Sequence, residues 1–213
     1  MCRLLFVESA EPFEIASHLV PFAHIARNSK EYQGHGWGCT WMENGGWKTY
    51  KNIRPVWEDD FLTFSKTKRL LAHARSAYNN EGIAVENNMP FEDGKRVFIF
   101  NGELHGVRIH EQGRIGAEKI FNFIRRFDRG DLLSALKKAV EILQERSRYI
   151  RAMNLILDDG KTACVASLFN EDPAYFTMHV RRNRGECVVC SEPYPDGSGW
   201  VAIPNHAVEV VSC

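Results

Sequence analysis

An α+β domain, with helices packed outside antiparallel sheets, is the fold class this sequence predicts. Three observations predict it: strand-like apolar runs early in the chain, a helical block over 117–144, and strand-like runs again from 153 onward. Elements grouped in this way, with one helix near the start, favour layers of sheet and helix over an alternating βαβ fold. No internal repeat, low-complexity tract or Pro/Ser-rich linker interrupts the sequence, so 1–213 is read as a single domain.

Each element has a local cause. CRLLFVES at the start is a short apolar run that suits a buried strand. Glu11-Pro12 reads as a helix opening, because proline suits the first helical turn, and Phe13, Ala16, Leu19, Val20, Ala23 and Ile25 then recur at helical spacing up to about Arg27. Over 36–50, aromatic and small polar residues alternate around Asn44-Gly45-Gly46, the signature of a hairpin turning at Asn-Gly. Strands are expected at 70–77 and 97–100, the second running into Asn101-Gly102. Helices are expected at 117–127 and 132–144, where Leu132, Leu136, Ala139 and Leu143 form one stripe. Further strands are expected at 153–157, 162–168, 175–180, 186–190, 200–203 and 208–211.

Composition bounds the function classes. The chain carries 27 basic and 27 acidic side chains, with 44% apolar and 25% charged residues, which describes a globular chain long enough to bury a core. A formal net charge of zero offers no footprint for nucleic acid or anionic lipid. No apolar run approaches the roughly 18 residues that span a bilayer, and the opening MCRLLFV is shorter than a signal-peptide core. The expected location is the cytoplasm, with no nucleic acid and no membrane as partner. Six cysteines (Cys2, Cys39, Cys164, Cys187, Cys190 and Cys213) are too sparse for a disulfide scaffold, and in a reducing compartment each reads first as a small buried hydrophobe.

Cys2 is the exception because of its position. Removal of an initiator methionine requires a small second residue, and cysteine qualifies, so the mature chain would begin with a thiol and a free α-amine on one residue. Pairing a nucleophile with its own terminal amine activates it without a histidine. Asn101-Gly102, at the end of an apolar strand, reads either as a hairpin turn or as an oxyanion hole, in which the Asn101 amide and the Gly102 N–H meet the charge on an attacked carbonyl. Glycine would there admit close approach of the substrate. Arg75, at the end of the strand Leu71-Ala72-His73-Ala74-Arg75, reads either as half of a salt bridge or as a fork-shaped clamp for a substrate carboxylate. His73 shares its face of the strand and reads as structural.

Met1-Cys2-Arg3, the Gly34-His35-Gly36-Trp37-Gly38 segment, His73-x-Arg75-x-Ala77, Asn87 followed by Pro90-Phe91, and the Asn101-Gly102 turn come in the order and rough spacing of class II glutamine amidotransferase domains. With Val188-Val189-Cys190-Ser191-Glu192-Pro193 near the end, the chain resembles these N-terminal nucleophile hydrolases over essentially its whole length. The resemblance is closest to the stand-alone members that begin Met-Cys-Arg, some of which act on γ-glutamyl compounds. It implies a four-layer αββα sandwich, and it assigns Cys2 as nucleophile with its α-amine as base. It further implies Asn101 and Gly102 as the oxyanion hole and Arg75 as the anchor of a substrate α-carboxylate, with Ser76 and Tyr78 beside it. Gly116 stands where the family usually carries the aspartate that holds the substrate α-ammonium, and Glu118 or Glu103 would have to substitute. Ser76-Ala77-Tyr78 and Met89 also depart from the common pattern.

The implied function is hydrolysis of glutamine or a γ-glutamyl amide, a small-molecule substrate, through a thioester. One alternative is a catalytically impaired glutaminase-like domain with a binding or regulatory role. Another is the ammonia-donating subunit of a two-chain amidotransferase, whose partner would be a separate synthase subunit. The eight histidines show neither HExxH nor paired Cys/His spacing, so no metal and no cofactor are expected. Cys187 and Cys190 have thioredoxin-like spacing, but in a strand they point to opposite faces. Arg181-Arg182-Asn183-Arg184 reads as a solvated basic turn, and Trp37, Trp41 and Trp47 as core or rim packing.

Overall fold

A computed structural model describes residues 1–195 and 197–212 of the chain. Its first strand, β1 (Arg3–Glu14), begins with Leu4, Leu5, Phe6 and Val7, none of which reaches solvent. The run is continuously apolar because both faces are covered: Leu4 and Phe6 enter one core, Leu5 and Val7 the other. β1 pairs antiparallel with β4 (Lys66–Ala74) on one edge and β10 (Glu186–Cys190) on the other.

Outward from these three, β2 (Trp37–Glu43) and β3 (Gly46–Asn52) follow β4, and β9 (His179–Asn183) and β11 (Trp200–Ala202) follow β10, making seven strands. The second sheet has five strands in the order β12 (Ala207–Val211), β8 (Ala163–Ser167), β7 (Tyr149–Asp158), β6 (Val97–His105) and β5 (Phe91–Glu92). Helix α1 (Ile15–Arg27) packs on the outer face of the first sheet through Ile15, Leu19, Phe22 and Ala26. Helices α2 (Gly116–Arg125) and α3 (Leu132–Arg146) cover the second sheet through Ile120, Ile124, Leu136 and Leu143. Helix, sheet, sheet and helix give the αββα sandwich.

Local signals explain much of this. Asn44 and Gly45 take φ of 51° and 77° in the β2–β3 turn, as a two-residue hairpin requires. Asp131 caps α3 by accepting from the Ser134 N–H at 3.0 Å. Cys187 and Cys190 fall in different cores, on the opposite faces that strand geometry demands. Cys39 and Cys164 are buried as well, and Cys213 lies outside the described residues. Trp37 and Trp41 are buried against Phe64.

Four expectations need correction. Pro12 does not open a helix; it sits in β1, between Glu8 and Phe13, where the register against β4 shifts, and such an irregularity tolerates a residue without an N–H. Asn101 and Gly102 are not a turn either, since β6 continues to His105 and pairs Asn101 with Asn154 and Gly102 with Met153. The strand expected at 175–180 splits, because Asp172 in a left-handed conformation and Pro173 start one helical turn, α4 (Pro173–Phe176), and the strand resumes at His179. Arg181 and Arg182 belong to that strand, and Arg181 is tied to Glu186 at 3.1 Å and lies over the rings of Tyr194 and Trp200.

One ion pair pins the two sheets together. Arg69 of β4 donates from Nε to Asp158 of β7 at 2.7 Å, with Asp158 fully buried, and its Nη1 reaches Glu8 at 2.5 Å. Removing one partner leaves a buried charge uncompensated. Asp158→Ala is expected to lower the unfolding free energy by about 3–5 kcal/mol, read as a fall in the urea midpoint, whereas the double change Arg69→Met with Asp158→Leu is expected to cost less.

Candidate active site

The register of β1 against β4 sets the site. Arg3 pairs with Ala74, so the chain leaving β4 passes beside Cys2. The Ser76 N–H donates to Cys2 Sγ at 3.4 Å, and Sγ lies 3.6 Å from the Ser76 carbonyl oxygen, to which the thiol donates. Burial pushes the Cys2 thiol up, against the lowering effects of the N-terminal ammonium, the Ser76 bond and Arg75. The resting sulfur is therefore a thiol, which needs a base before it can attack.

Arg75 is held from behind. Its N–H donates to the Gly36 carbonyl at 2.9 Å, and its carbonyl accepts from the His35 N–H at 3.1 Å. His35 Nδ1 in turn accepts the Ala77 N–H at 2.9 Å. Gly36 has φ of 103°, and a Cβ there would lie 2.2 Å from Asn88 Nδ2, so only glycine lets Asn88 in. Asn88 accepts from Arg75 Nη1 at 3.4 Å and anchors itself on the Asn52 carbonyl at 2.8 Å. The Gly34-His35-Gly36 segment thus supports the guanidinium. Arg75 is 5% exposed, and no carboxylate pairs with it among the described residues.

A cleft of about 800 Å³ opens over these groups. Cys2, Arg75, Ser76, Tyr78 and Gly102 line it, as does Gly116 at the start of α2. The structure thus gathers most of the residues the sequence singles out. Asn101 is 2% exposed and is not among the lining residues, and its Oδ1 has no hydrogen-bond partner. Glu118 is also off the wall, with both carboxylate oxygens engaged by Arg114, which holds the carboxyl below its usual range. Glu103 does line the cleft, where it accepts from Arg151 at 3.2 Å and pairs with His105 at 2.7 Å.

The neighbourhood of Gly102 is built by strand geometry. β5 pairs with β6 only at Val97 and Phe98, so beyond them no strand covers that edge among the described residues, and Gly102 lies on the cleft wall. A Cβ at residue 102 would lie 2.4 Å from the Ala152 carbonyl and from the Phe100 ring. Glycine is required by packing against β7, and not only by the approach of a ligand. His73 links the two sheets through Nε2, which donates to the Phe100 carbonyl at 3.2 Å, and burial brings this imidazole down to about 3. His73 is neutral and structural.

Residues that sequence reasoning missed surround the N-terminus. The Met1 ammonium is ion-paired with Glu31, and the Met1 carbonyl accepts from Gln33 Nε2 at 2.5 Å and from the Tyr175 hydroxyl at 2.7 Å. Burial would raise the Glu31 carboxyl, but the ammonium and Arg151 outweigh it and hold it low. With Met1 attached, the Cys2 nitrogen is an amide and no base. Tyr175 is far from Cys2 in sequence and Glu31 and Gln33 follow no motif, so no spacing signalled them. Among the described residues no group of three or more His, Cys, Asp or Glu could hold a metal ion, and no helix is long and apolar enough to cross a membrane.

No family model matches the chain. It is 26% identical over 243 aligned positions to YafJ of Escherichia coli K12, named as a candidate glutamine amidotransferase, with 95% of this chain and 94% of that protein covered. It is 27% identical over 184 positions to the gamma-glutamyl-hercynylcysteine sulfoxide hydrolase of Mycolicibacterium smegmatis, covering 82% of this chain and 77% of the relative. Among solved structures, a glutamine aminotransferase class-II domain protein from Silicibacter pomeroyi superposes with a TM-score of 0.64 at 17% identity, over 96% of this chain and 92% of that one. The glutamine phosphoribosylpyrophosphate amidotransferase of Bacillus subtilis gives 0.66 at 17% identity, over 90% of this chain and 42% of that one.

The raised Cys2 thiol has a direct readout. Because burial favours the neutral form, the thiolate fraction at neutral pH is below that of a free cysteine, whose pKa is about 8.5. In the chain that retains Met1, alkylation of Cys2 by iodoacetamide, followed by peptide mass spectrometry, is expected to accelerate only above the ordinary thiol range. A midpoint at or below neutrality would show a thiol that is already ionised.

Proposed function

We propose that this chain, which carries the fold of the class II glutamine amidotransferase domains, hydrolyses a γ-glutamyl amide through a thioester on Cys2. The observation that carries the reading is the pairing, in one cleft, of the Cys2 thiol with a buried guanidinium, Arg75, that no carboxylate among the described residues neutralises. A buried cation without a partner is costly unless a ligand completes it, and the planar fork of Arg suits a carboxylate. The relatives named for glutamine amidotransfer and for γ-glutamyl hydrolysis support the class.

The reaction begins with removal of Met1, which frees the α-amine. That amine takes the thiol proton as sulfur attacks the amide carbonyl, and the charge on the carbonyl oxygen is assigned to the Gly102 N–H at the cleft wall, with the Asn101 side-chain amide as the second donor once it turns from its buried position. The C–N bond breaks as the ammonium returns its proton to the leaving nitrogen. Water, deprotonated by the same amine, then attacks the thioester, releasing the acid and restoring the thiol.

The cleft also speaks to the leaving group. Free glutamine would leave most of about 800 Å³ open, and Leu104, Val107, Ile109, Ile115 and Ile120 make one wall apolar. We assign the amide a sizeable apolar amine rather than ammonia. With the N-terminus verified as Cys2, hydrolysis of γ-glutamyl anilides and alkylamides is expected to exceed that of glutamine, and Cys2→Ala is expected to abolish both. Equal activity in wild type and Cys2→Ala would remove the nucleophile, and no turnover by either would favour a binding domain.

Residue 116 offers a separate test. A Cβ at Gly116 would meet nothing within 4 Å, so the cleft has room for a side chain there. Gly116→Asp adds a carboxylate at the start of α2, and a restored charge pair is worth about tenfold. The variant is expected to lower KM for glutamine by about tenfold and to leave KM unchanged for a donor whose α-nitrogen is acylated.

A further inference from the structure

The first residue of the chain occupies a formed pocket. Its ammonium is paired with Glu31, which Arg151 Nη2 holds at 3.2 Å. Its carbonyl oxygen takes one hydrogen bond from Gln33 and one from Tyr175, side chains on residues that are 0% and 5% exposed. Its thioether side chain, 9% exposed, packs against Ala152, Phe169, Tyr175 and Phe176. Gln33 Oε1, also buried, has no hydrogen-bond partner. A cation site, an oxygen site and an apolar slot are thus arranged around one α-amino-acid skeleton.

We propose that removal of Met1 turns this seat into a binding site for a free apolar α-amino acid, with L-methionine as the best-fitting occupant. The ligand ammonium lies on Glu31. One carboxylate oxygen takes the place of the Met1 carbonyl oxygen, against Gln33 and Tyr175, and the other faces the newly freed α-ammonium of Cys2. The peptide C–N bond of about 1.33 Å gives way to an N–H···O contact of about 2.8 Å, which sets the ligand carboxylate carbon about 3.5 Å from the Cys2 nitrogen, so ligand and Cys2 need to part by about 2 Å. A carboxylate beside the Cys2 α-amine favours its protonated form, and a protonated amine is no base. Occupancy therefore inhibits the hydrolysis.

The inference rests on the Met1 removal that the proposed reaction requires, and not on the hydrolysis itself. The experiment titrates L-methionine into the chain with a verified Cys2 N-terminus, by calorimetry and by thermal unfolding, since a ligand bound only to the folded state raises Tm. Saturable millimolar binding is expected, with none to the chain that retains Met1 and none of N-acetyl-L-methionine, which lacks the ammonium. Glu31→Gln is expected to weaken binding at least tenfold, and Gln33→Leu serves as the second variant, the ligand-free Tm of each reporting whether it folds. Absence of binding to the processed wild-type chain, or equal binding to the chain with Met1, overturns the proposal. Cys2→Ala, which permits the same processing, keeps methionine binding if the pocket is right even where the assigned reaction is wrong.

Discussion

Successive residues of β1 feed alternately the core under α1 and the core between the sheets, and both of its edges are paired. A strand held in this way cannot slip by one residue without turning a row of apolar side chains to the wrong layer. Cys2, one residue before it, inherits that rigidity. The same register delivers Ser76 to the sulfur and Arg75 to the cleft floor, because β4 ends opposite the point where β1 begins. The site is a by-product of the register of two central strands.

Buried charge is handled in two ways within a short stretch of β4 and the residues that follow it. Arg69 is answered by two carboxylates, Asp158 and Glu8, and serves cohesion between the sheets. Among the described residues the Arg75 guanidinium is answered by an amide oxygen and by no carboxylate, so its desolvation is tolerated by a fold stabilised elsewhere. His73 lies between them on the strand and avoids the problem by staying neutral, so its one N–H is committed to the Phe100 carbonyl. Cohesion between the sheets and alignment of β6 thus follow from the partners of Arg69 and His73, while Arg75 is left facing the cleft.

Elements with local causes were legible in the sequence: the doubly buried start of β1, the Asn44-Gly45 turn, the capped and striped α3, and the opposed cysteines of β10. Elements decided by distant contacts were not. Pro12 satisfies a helix-start rule, yet it lies in β1, in the irregularity between Glu8 and Phe13, which both pair with β4. Asn101-Gly102 satisfies a turn rule, yet β7 runs past it and pairs through both residues. At the site, Cys2, Arg75 and Gly102 could be named from position and chemistry. Asn88 could not be distinguished from Asn87 beside it, and Tyr175, remote from Cys2 in sequence, meets it only through the fold. Glu118 is a candidate substitute for the missing aspartate by sequence, yet its carboxylate turns to Arg114 instead.

The way the first residue is held bears on the order of events in the life of the chain. An exopeptidase must grip an extended, accessible terminus, and in the folded molecule that terminus is tied by its ammonium, its carbonyl and a side chain packed under aromatic rings. The excision that the proposed reaction requires therefore has to precede folding, while the nascent terminus is still free. A chain that folds first keeps Met1 in its pocket, and its Cys2 nitrogen stays an amide. Two preparations of equal purity would then differ in the fraction of chains that begin at Cys2, according to how synthesis rate and aminopeptidase supply were matched during expression.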